Sequence, residues 1–454
     1  MTDFKGKKVL VFGAGKSGIG SSRLLHDLGA RVVLYDGSKK IDPETTRQRL
    51  GCGGVELALG CGTEEIPFAP ELVVLSPGVP CDIEAVKSFY AGGIPVWSEV
   101  ELAWQAGQGK VLAITGTNGK TTTTALLGKI MSDARDSVFV VGNIGTAYTS
   151  KALETKAESI VVAEISSFQL ETIDTFAPSV SAILNITPDH LDRHHTMEEY
   201  IRVKESITRN QTSKDVCVLN YEDEELRRFG QTLLPGVVWF SSERSLEEGI
   251  YLEGEEIILA EGGKKTCVLK TSQLNILGKH NYENAMAAIA MAYKSGVPLD
   301  SIRKSAMEFT AVPHRIEYAG EKKGVVYYND SKGTNPDAAI KGIQAMTRPT
   351  LLIGGGYDKH SDYTDWIKAF DGKVRCLVLI GQTREKIRQT ALECGFRDVV
   401  LCEDLKEAVS FCAAKALPGD AVLLSPACAS WGQFDNYEQR GDRFKEYVKA
   451  LPDE

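Results

Sequence analysis

The sequence predicts an α/β fold with more than one doubly wound parallel sheet. Short, nearly continuous runs of valine, isoleucine and leucine recur along the chain, separated by helix-like stretches. This pattern is typical of strands that helices cover on both faces. Glycine-rich turns directly follow two of these runs, as they do in nucleotide-binding folds of this class. Because the chain has 454 residues, we expect two to four domains.

The runs that we interpret as strands are spread over the whole chain. They are Val9–Phe12, Val32–Tyr35, Leu72–Leu75, Val111–Ile114, Val138–Val141, Ile160–Ala163, Ala182–Leu184, Val216–Leu219, Val325–Tyr328, Leu351–Ile353, Leu377–Ile380 and Val422–Leu424. The segment from Tyr251 to Lys270 predicts a small antiparallel hairpin. Residues 106–110 and 310–313 interrupt the pattern, and we expect domain boundaries there.

The composition argues against several classes of partner. A net charge of -9 disfavours a general affinity for nucleic acid or for an anionic membrane. The 10 cysteines include no C-x-x-C pair, which indicates reduced thiols and not a disulfide framework. No apolar run is long enough to span a bilayer. We therefore expect a cytoplasmic protein with no nucleic acid and no membrane partner.

A phosphate-binding loop follows Val111–Ile114. Its residues, Gly116–Thr122, read GTNGKTT and precede a helical pattern. The glycines let backbone amides approach phosphate oxygens, Lys120 can reach the terminal phosphates, and the Thr121 hydroxyl can hold Mg²⁺. The usual G-x-x-x-x-G-K-[ST] pattern requires glycine where this chain has Ile114, so the loop is a shorter variant. The predicted ligand is ATP.

A second glycine-rich turn, at residues 13–18, matches G-x-G-x-x-G after the first apolar run, and Asp36 closes the next run. This pattern is typical of NAD binding. Two alternatives stay open: the glycines serve only strand–helix packing, or the turn binds another nucleotide diphosphate together with Ser76–Val79. A simple dehydrogenase is disfavoured, because it would not need the ATP loop.

Polar side chains follow three further strands. The side chains are those of Asn143, Glu164 and His190, and Ser166 lies two positions after Glu164 in the sequence. Parallel strands present such residues to ligands at their carboxyl ends. Glu164 and His190 are candidate Mg²⁺ ligands with Thr121, although Mg²⁺ prefers oxygen. The alternatives are that His190 caps a helix or turn and that Glu164 is an N-cap carboxylate.

Taken together, these motifs resemble the ATP-dependent Mur ligases of peptidoglycan synthesis. The short loop with Lys120 is that family's form of the ATP loop, which accounts for Ile114. Further motifs of the family recur in the same order, at 142–145, 164–169, 189–192, 204, 280–284 and 313–315. Two C-terminal runs, at 329–336 and at 425–431 with its continuation to 441, resemble the branch that adds D-glutamate. The resemblance covers essentially the whole chain.

The resemblance implies three domains. These are an N-terminal Rossmann-like domain for the UDP moiety at 1–106, a central P-loop-type mononucleotide-binding α/β ATPase domain at 107–311, and a C-terminal Rossmann-like domain for the amino acid at 312–454. It implies ligation of D-glutamate to UDP-N-acetylmuramoyl-L-alanine through an acyl phosphate. ATP would be the cosubstrate, two Mg²⁺ ions would take part, and we expect a monomer.

The resemblance also implies roles for single residues at the ATP site. The ATP contacts would be Gly116, Thr117, Asn118, Gly119, Lys120, Thr121 and Thr122 at the phosphates, Asn281 and Asn284 at the adenine, and His314, Arg315 and Asp330 at the ribose and phosphates. The catalytic residues would be Lys120, Glu164, His190 and Lys204, and the metal ligands Thr121, Glu164, His190 and Lys204. Lys204 would carry a carbamate; its alternative is a surface lysine on an amphipathic helix. Helix capping is the alternative for Asn281 and Asn284.

Two further sets of residues are assigned to the other substrates. The candidate contacts to the UDP-substrate are Ser17, Asp36, Gly78, Asn143 and Ser166. The implied contacts to D-glutamate are Thr334, Lys359, Ser430, Trp431 and Tyr437. A second amino-acid carboxylate needs a cation and hydroxyl or N–H donors, and this set provides them. Trp431 and Tyr437 stand where leucine and phenylalanine occur in some relatives.

Three other functions stay open as alternatives. A sibling ligase could add another amino acid or act on a folate-type substrate, but it would carry a different motif at 330–335. A nucleotide-binding regulator would not require the set Lys120, Glu164, His190 and Lys204. A dehydrogenase would leave the ATP loop without a role.

Overall fold

A computed structural model describes residues 2–143, 145–310, 312–359 and 361–452, with only the backbone at Asp192. Ile144 of the predicted Asn143 turn, the Asp192 side chain, and the predicted domain limits at 1, 311 and 454 lie outside this description. Within these ranges, no helix is long and apolar enough to cross a membrane.

The first sheet has five parallel strands in the order β3-β2-β1-β4-β5. Its strands are β1 (Lys8–Phe12), β2 (Arg31–Asp36), β3 (Glu56–Leu59), β4 (Leu72–Leu75) and β5 (Val96–Ser98). Its helices are α1 (Lys16–Asp27), α2 (Pro43–Leu50), α3 (Glu84–Ala91) and α4 (Glu99–Ala106). The strand order reverses between β1 and β4, so the two turns that follow these strands flank a crevice of the kind that binds ligands.

The second sheet runs β14-β13-β12-β11-β10-β9-β6-β8-β7. Its strands are β6 (Lys110–Thr115), β7 (Val138–Gly142), β8 (Ile160–Glu164), β9 (Val180–Ile183), β10 (Val216–Asn220), β11 (Gly236–Ser241), β12 (Gly249–Glu253), β13 (Glu256–Glu261) and β14 (Lys264–Lys270). The helices that follow in the chain are α5 (Lys120–Ala134), α6 (Ser167–Leu170), α7 (Leu191–His194), α8 (Met197–Glu205), α9 (Glu224–Gly230), α10 (Lys279–Lys294) and α11 (Leu299–Glu308). The strands β12, β13 and β14 pair antiparallel, which confirms the predicted hairpin.

The third sheet has the order β15-β16-β20-β17-β18-β19. Its strands are β15 (Glu317–Lys322), β16 (Val325–Asn329), β17 (Thr350–Gly355), β18 (Val374–Ile380), β19 (Val399–Leu401) and β20 (Ala421–Leu424). Its helices are α12 (Pro336–Gln344), α13 (Thr364–Lys368), α14 (Arg384–Glu393), α15 (Leu405–Lys415) and α16 (Tyr437–Lys449). All pairs except β15 with β16 are parallel.

The chain forms two compact units. The first contains residues up to 271 and 283–306 and holds the first two sheets, whereas the second contains 272–282 and the residues from 307 onward and holds the third sheet. The linker predicted at 106–110 falls between α4 and β6. The domain limits 1–106, 107–311 and 312–454 stay predictions.

Every predicted apolar run overlaps a strand. The prediction of Ala182–Leu184 missed the start of β9, because Ser181 interrupts the apolar pattern. That serine is fully buried and donates from Oγ to Gln211 Oε1 at 2.9 Å, so a side-chain hydrogen bond makes its burial possible. Strands β3, β5, β11, β15 and β19 were missed because they are short or carry polar and half-exposed residues.

Candidate active site

The loop between β6 and α5 has the backbone of a phosphate-binding turn. Gly116 and Gly119 have φ of 143° and 90°, values that L side chains rarely adopt. A Cβ on Gly119 would collide with Oδ1 of Asn284. Helix α5 begins at Lys120, so the positive N-terminal end of its dipole lies at the loop. Oγ1 of Thr122 is buried there without a hydrogen-bond partner among the described atoms.

Asn185, which follows β9, holds this loop. Its Oδ1 accepts from Asn118 N at 2.8 Å, and its Nδ2 donates to Asn118 O at 3.1 Å. Its own carbonyl accepts from Thr117 N at 2.9 Å. Asn185 was not among the predicted site residues. The available signal was its position at the carboxyl end of a strand, which Asn143 and Glu164 share.

Two lysine side chains donate to one carbonyl oxygen. Nζ of Lys120 and Nζ of Lys204 each lie 2.8 Å from Gly116 O. Lys204 is only 1% exposed, and its Nζ lies 4.7 Å from the centre of the Tyr200 ring. Burial, and then the nearby charge of Lys120, lower the pKa of Lys204 well below its usual range. Lys204 is therefore not the surface lysine of the alternative interpretation.

Glu164 and Asn143 meet at the carboxyl ends of β8 and β7. Asn143 Nδ2 donates to Glu164 Oε1 at 3.0 Å, and Glu164 is buried. The N-cap of α6 is Ser166, whose Oγ accepts from Gln169 N at 3.3 Å. The N-cap alternative for Glu164 is therefore wrong. Its carboxylate is buried beside the Asn143 amide and can offer oxygen atoms to a metal ion.

His190 immediately precedes α7, with φ of 52°. It occupies the N-cap position, but its side chain makes no capping hydrogen bond. The imidazole is half exposed, with Nε2 3.5 Å from Asp189 Oδ2 and its ring 5.0 Å from the Phe168 ring. The side chain therefore does not have the capping role of the alternative interpretation.

The predicted metal ligands suit a hard cation in part. No group of three or more His, Cys, Asp or Glu side chains in the described part of the chain has a metal-binding arrangement. The predicted set includes only Glu164 and His190 from these residue types. Thr121 and Glu164 offer the oxygen atoms that Mg²⁺ prefers. The buried amine of Lys204, with its lowered pKa, is suited to react with CO₂, and a carbamate would add an anionic oxygen.

A cavity of about 140 Å³ lies between the first two sheets. It is lined by Lys16, Ser17, Pro77, Gly142, Asn143, Gly145, Ala147 and Gln169. Two predicted substrate residues, Ser17 and Asn143, thus share one cavity. Ser166 lies close, because its N donates to Gln169 Oε1 at 2.8 Å. Gly78 follows the lining residue Pro77, and a Cβ added to it would meet no atom within 4 Å. Lys16 and Gln169 were not predicted.

Asp36 accepts a hydrogen bond from the backbone of the first glycine-rich turn. Its Oδ2 accepts from Ala14 N and its Oδ1 from Ser38 N, both at 2.9 Å. A Cβ on Gly18 would collide with the carbonyl oxygen of Gly13. The packing alternative therefore accounts for Gly18, and both Asp36 oxygens contact the protein backbone.

Asn281 and Asn284 lie in the first turns of α10, whose residues divide between the two units. In the first unit, Asn284 Oδ1 accepts from Thr123 Oγ1 at 3.4 Å, which puts Asn284 beside the phosphate loop. In the second unit, Asn281 Nδ2 donates to Leu277 O at 2.7 Å.

His314, Arg315 and Asp330 come together in the second unit. His314 Nδ1 lies 3.0 Å from Asn329 Nδ2 at the end of β16. Asp330 is buried and accepts from Ser425 Oγ at 2.7 Å. Burial raises the pKa of Asp330 to about 6, although the hydrogen bond from Ser425 and the charge of Arg315 oppose this.

The predicted D-glutamate residues form two clusters. Lys359 Nζ lies 5.0 Å from the centre of the Trp431 ring, next to buried Ser430. Lys332 Nζ lies 5.6 Å from the centre of the Tyr437 ring, and Thr334 N donates to Lys332 O at 2.9 Å. Each cluster contains a lysine beside an aromatic ring.

Arg440 links these two clusters. It was not among the predicted site residues. It is 1% exposed and donates from Nε to Ser331 Oγ at 2.9 Å and from Nη1 to Cys428 O at 3.1 Å. Burial lowers its pKa to about 10. The available signal was its place in the C-terminal motif ending at residue 441. Through Arg440, the segments that carry Thr334 and Ser430 are held together.

Comparison with known proteins decides the family. The profile "Mur ligase MurD-like, N-terminal domain" matches residues 7–98, "Mur ligase middle domain" matches 114–292, and "Mur ligase, glutamate ligase domain" matches 314–428. A UDP-N-acetylmuramoylalanine–D-glutamate ligase from Lachnoclostridium phytofermentans is 55% identical over 453 residues, which cover 100% of both chains. One from Lachnospira eligens is 54% identical and covers 99% of this chain and 100% of its own. The chain belongs to the Mur ligase family.

Solved structures of Mur ligases share this fold. The ligase MurC of Thermotoga maritima matches with a TM-score of 0.60 at 21% identity, covering 98% of this chain and 99% of its own. MurF of the same organism, solved with ADP, matches with a TM-score of 0.61 at 17% identity over 99% of both chains. The predictions of the family and of three α/β domains are confirmed.

We expect Asn185→Ala to weaken binding of ADP to this Mur ligase about tenfold, because the phosphate loop loses two hydrogen bonds. Calorimetric titration with ADP measures this. The control is Asn210→Ala, which removes hydrogen bonds from Nδ2 to Asp174 O and Phe176 O in the same unit. Equal ADP affinity in the Asn185 variant and the unmodified protein would contradict the role of Asn185.

Asp330→Asn should change stability in a pH-dependent way. Because the folded-state pKa of Asp330 is raised from 3.8 to about 6, its ionisation destabilises the fold as pH rises through that value. We expect the free energy of unfolding of the variant, relative to the unmodified protein, to increase by about 1 kcal/mol between pH 5 and pH 8. Urea denaturation of both proteins at both pH values measures this. A difference that stays constant or shrinks would be the contrary result.

Proposed function

We propose that the chain is an ATP-dependent ligase that joins D-glutamate to UDP-N-acetylmuramoyl-L-alanine during peptidoglycan precursor synthesis. The observation that carries this proposal is the end-to-end 55% identity with the ligase named for these two substrates. The phosphate loop at the carboxyl end of β6, with Lys120 and buried Lys204 on one carbonyl, supports chemistry at a terminal phosphate.

The reaction has two chemical steps. A carboxylate is a poor acylating agent, because its leaving group would be oxide. In the first step an oxygen of the alanyl carboxylate bonds to the γ-phosphorus of ATP, and the bond from that phosphorus to the β–γ bridging oxygen breaks, which releases ADP. In the second step the amine nitrogen of D-glutamate bonds to the acyl carbon. The tetrahedral intermediate expels inorganic phosphate, and the amine proton passes to solvent.

The first step brings two anions together, so its barrier depends on positive charge at the phosphates. We assign this role to Lys120 and to the loop 116–122, apart from the amides of Thr117 and Asn118, which donate to Asn185. Lys120 Nζ contacts Gly116 O at 2.8 Å and Thr117 O at 2.9 Å, which keeps its positive charge within the loop. Asn281 and Asn284 are assigned to the adenine. His314, Arg315 and Asp330 are assigned to the ribose and phosphates.

We further assign Mg²⁺ to Thr121, Glu164, His190 and a carbamate on Lys204. When bound, Mg²⁺ neutralises phosphate charge and polarises the phosphoryl oxygens. The burial that lowers the pKa of Lys204 favours the neutral amine, which is the form that adds to CO₂. Glu164 has an amide from Asn143 as its neighbour, which leaves its negative charge for a cation.

The two other substrates are assigned to separate residues. Ser17, Asp36, Gly78, Asn143 and Ser166 are assigned to the UDP-substrate, with His190 near its acyl end. Thr334, Lys359, Ser430, Trp431 and Tyr437 are assigned to D-glutamate, whose carboxylate would face the Lys359 ammonium. We also propose that the enzyme acts in the cytoplasm as a monomer, without nucleic acid or membrane partners; gel filtration with light scattering tests the monomer.

The substrate test is phosphate release from ATP with UDP-N-acetylmuramoyl-L-alanine and Mg²⁺. We expect turnover with D-glutamate and none with L-glutamate, L-lysine or diaminopimelate, because amino-acid specificity resides in the C-terminal residues. Mass spectrometry of the product confirms the amide. Turnover with L-lysine but not D-glutamate would assign the chain to a sibling ligase, which is the alternative function.

Lys204→Ala should lose most activity and regain part of it with added short-chain carboxylates, because these supply the missing anionic oxygen. The measurement is phosphate release with and without acetate. Lys129→Ala removes a partly exposed lysine paired with Asp133 at 2.8 Å and is the control. Near-normal activity of the unrescued Lys204 variant would disprove the carbamate role.

A further inference from the structure

A bidentate ion pair lies outside all of the assigned sites. Arg193 in α7 donates from Nε to Glu171 Oε1 at 3.1 Å and from Nη2 to Glu171 Oε2 at 2.6 Å. The two side chains are 13% and 11% exposed, so solvent screens the pair little. Two parallel hydrogen bonds between planar groups fix the direction of both side chains.

Both partners also contact the turn that follows β4 in the first sheet. Arg193 Nη2 donates to Val79 O at 2.9 Å, and the Cys81 thiol donates to Glu171 Oε2 at 2.9 Å. Gly78, assigned above to the UDP-substrate, immediately precedes Val79. The ion pair therefore connects the substrate turn of the first sheet to helices of the second.

The same arginine also supports His190. Its guanidinium lies 4.8 Å from the centre of the Phe168 ring, and the His190 ring lies 5.0 Å from the same ring. Arg193 N donates to His190 O at 3.0 Å, which closes the turn at a residue with positive φ. Helix α7 thus carries the side chain that holds the substrate turn, and it directly follows His190.

The charges of the pair depend on each other. Burial raises the pKa of the Cys81 thiol above its usual range. Burial also lowers the pKa of His194, whose Nδ1 lies 3.5 Å from Glu171 Oε1. Both neighbours are therefore neutral at pH 7, and Arg193 compensates Glu171. Removing one partner would leave the other charge buried without compensation.

We propose that Arg193 and Glu171 are positioning residues, which fix the turn at 76–79 relative to His190 and so align the acyl end of the UDP-substrate with the transferred phosphate. This inference rests on the proposed function, because it assumes that the turn and His190 contact one substrate. It adds a role for two residues that contact neither ATP nor the amino acid.

The test uses Arg193→Lys, which keeps the charge and loses the planar fork, and Glu171→Gln, which keeps the shape and loses the charge. We expect the KM for UDP-N-acetylmuramoyl-L-alanine to rise about 10- to 100-fold in each, because the released turn no longer holds this substrate in place. The misalignment of the reacting groups should lower kcat as well. The KM values for ATP and D-glutamate should stay nearly unchanged. In the double variant the two effects should combine to less than their product, because the residues act as one pair.

The control is Arg244→Lys, which alters a bidentate pair with Glu222, at 3.1 and 2.7 Å, between the segments that follow β10 and β11. It should leave all three KM values unchanged. If Glu171→Gln lowers the melting temperature into the assay range, Cys81→Ala replaces it. That variant removes one donor to Glu171 and should raise the same KM to a smaller extent.

Two outcomes would overturn the positioning role: unchanged KM values in Arg193→Lys, or equal changes in all three KM values, which a purely structural role would produce. Failure of the proposed function is distinguishable, because the unmodified protein would then show no turnover with D-glutamate at all.

Discussion

The carbonyl oxygen of Gly116 accepts hydrogen bonds from Lys120 and Lys204, and the rest of the candidate site is built around that point. Two ammonium ions cannot share one buried acceptor cheaply, because each raises the electrostatic cost of the other. The conflict is relieved by lowering the pKa of the more deeply buried Lys204. The same shift prepares that amine for the carbamate proposed above, whose negative charge would offset the charge of Lys120.

The strand order of the second sheet brings the other groups to this point. Strand β6 lies between β8 and β9, with β7 next to β8. The phosphate loop is therefore flanked by Glu164 at the end of β8 and Asn185 after β9, while Asn143 after β7 donates to Glu164. Residues far apart in the chain become neighbours because parallel strands end at one edge of a sheet.

One arginine of low exposure in each compact unit holds together segments that carry predicted ligand-binding residues. Arg193 joins the turn after β4 to the helix that follows His190, and Arg440 joins the segments of Ser331 and Cys428. The physical reason is common to both, since the guanidinium has five donors in a rigid plane and can bond several backbone and side-chain acceptors at once. Arg193 has a carboxylate partner, whereas Arg440 donates to neutral oxygens of Ser331 and Cys428.

The sequence by itself determined the α/β class, most strands, the phosphate loop and the family, because these depend on local patterns of apolar residues, glycines and motifs. It did not reveal that Lys204 is buried or that Ser166, and not Glu164, caps α6. Nor did it reveal that Asn185, Arg193 and Arg440 hold the segments that carry the predicted ligand-binding residues. Only the tertiary structure decided these points. Burial and hydrogen-bond partners depend on which distant segments of the chain come into contact, and a local sequence pattern does not specify those contacts.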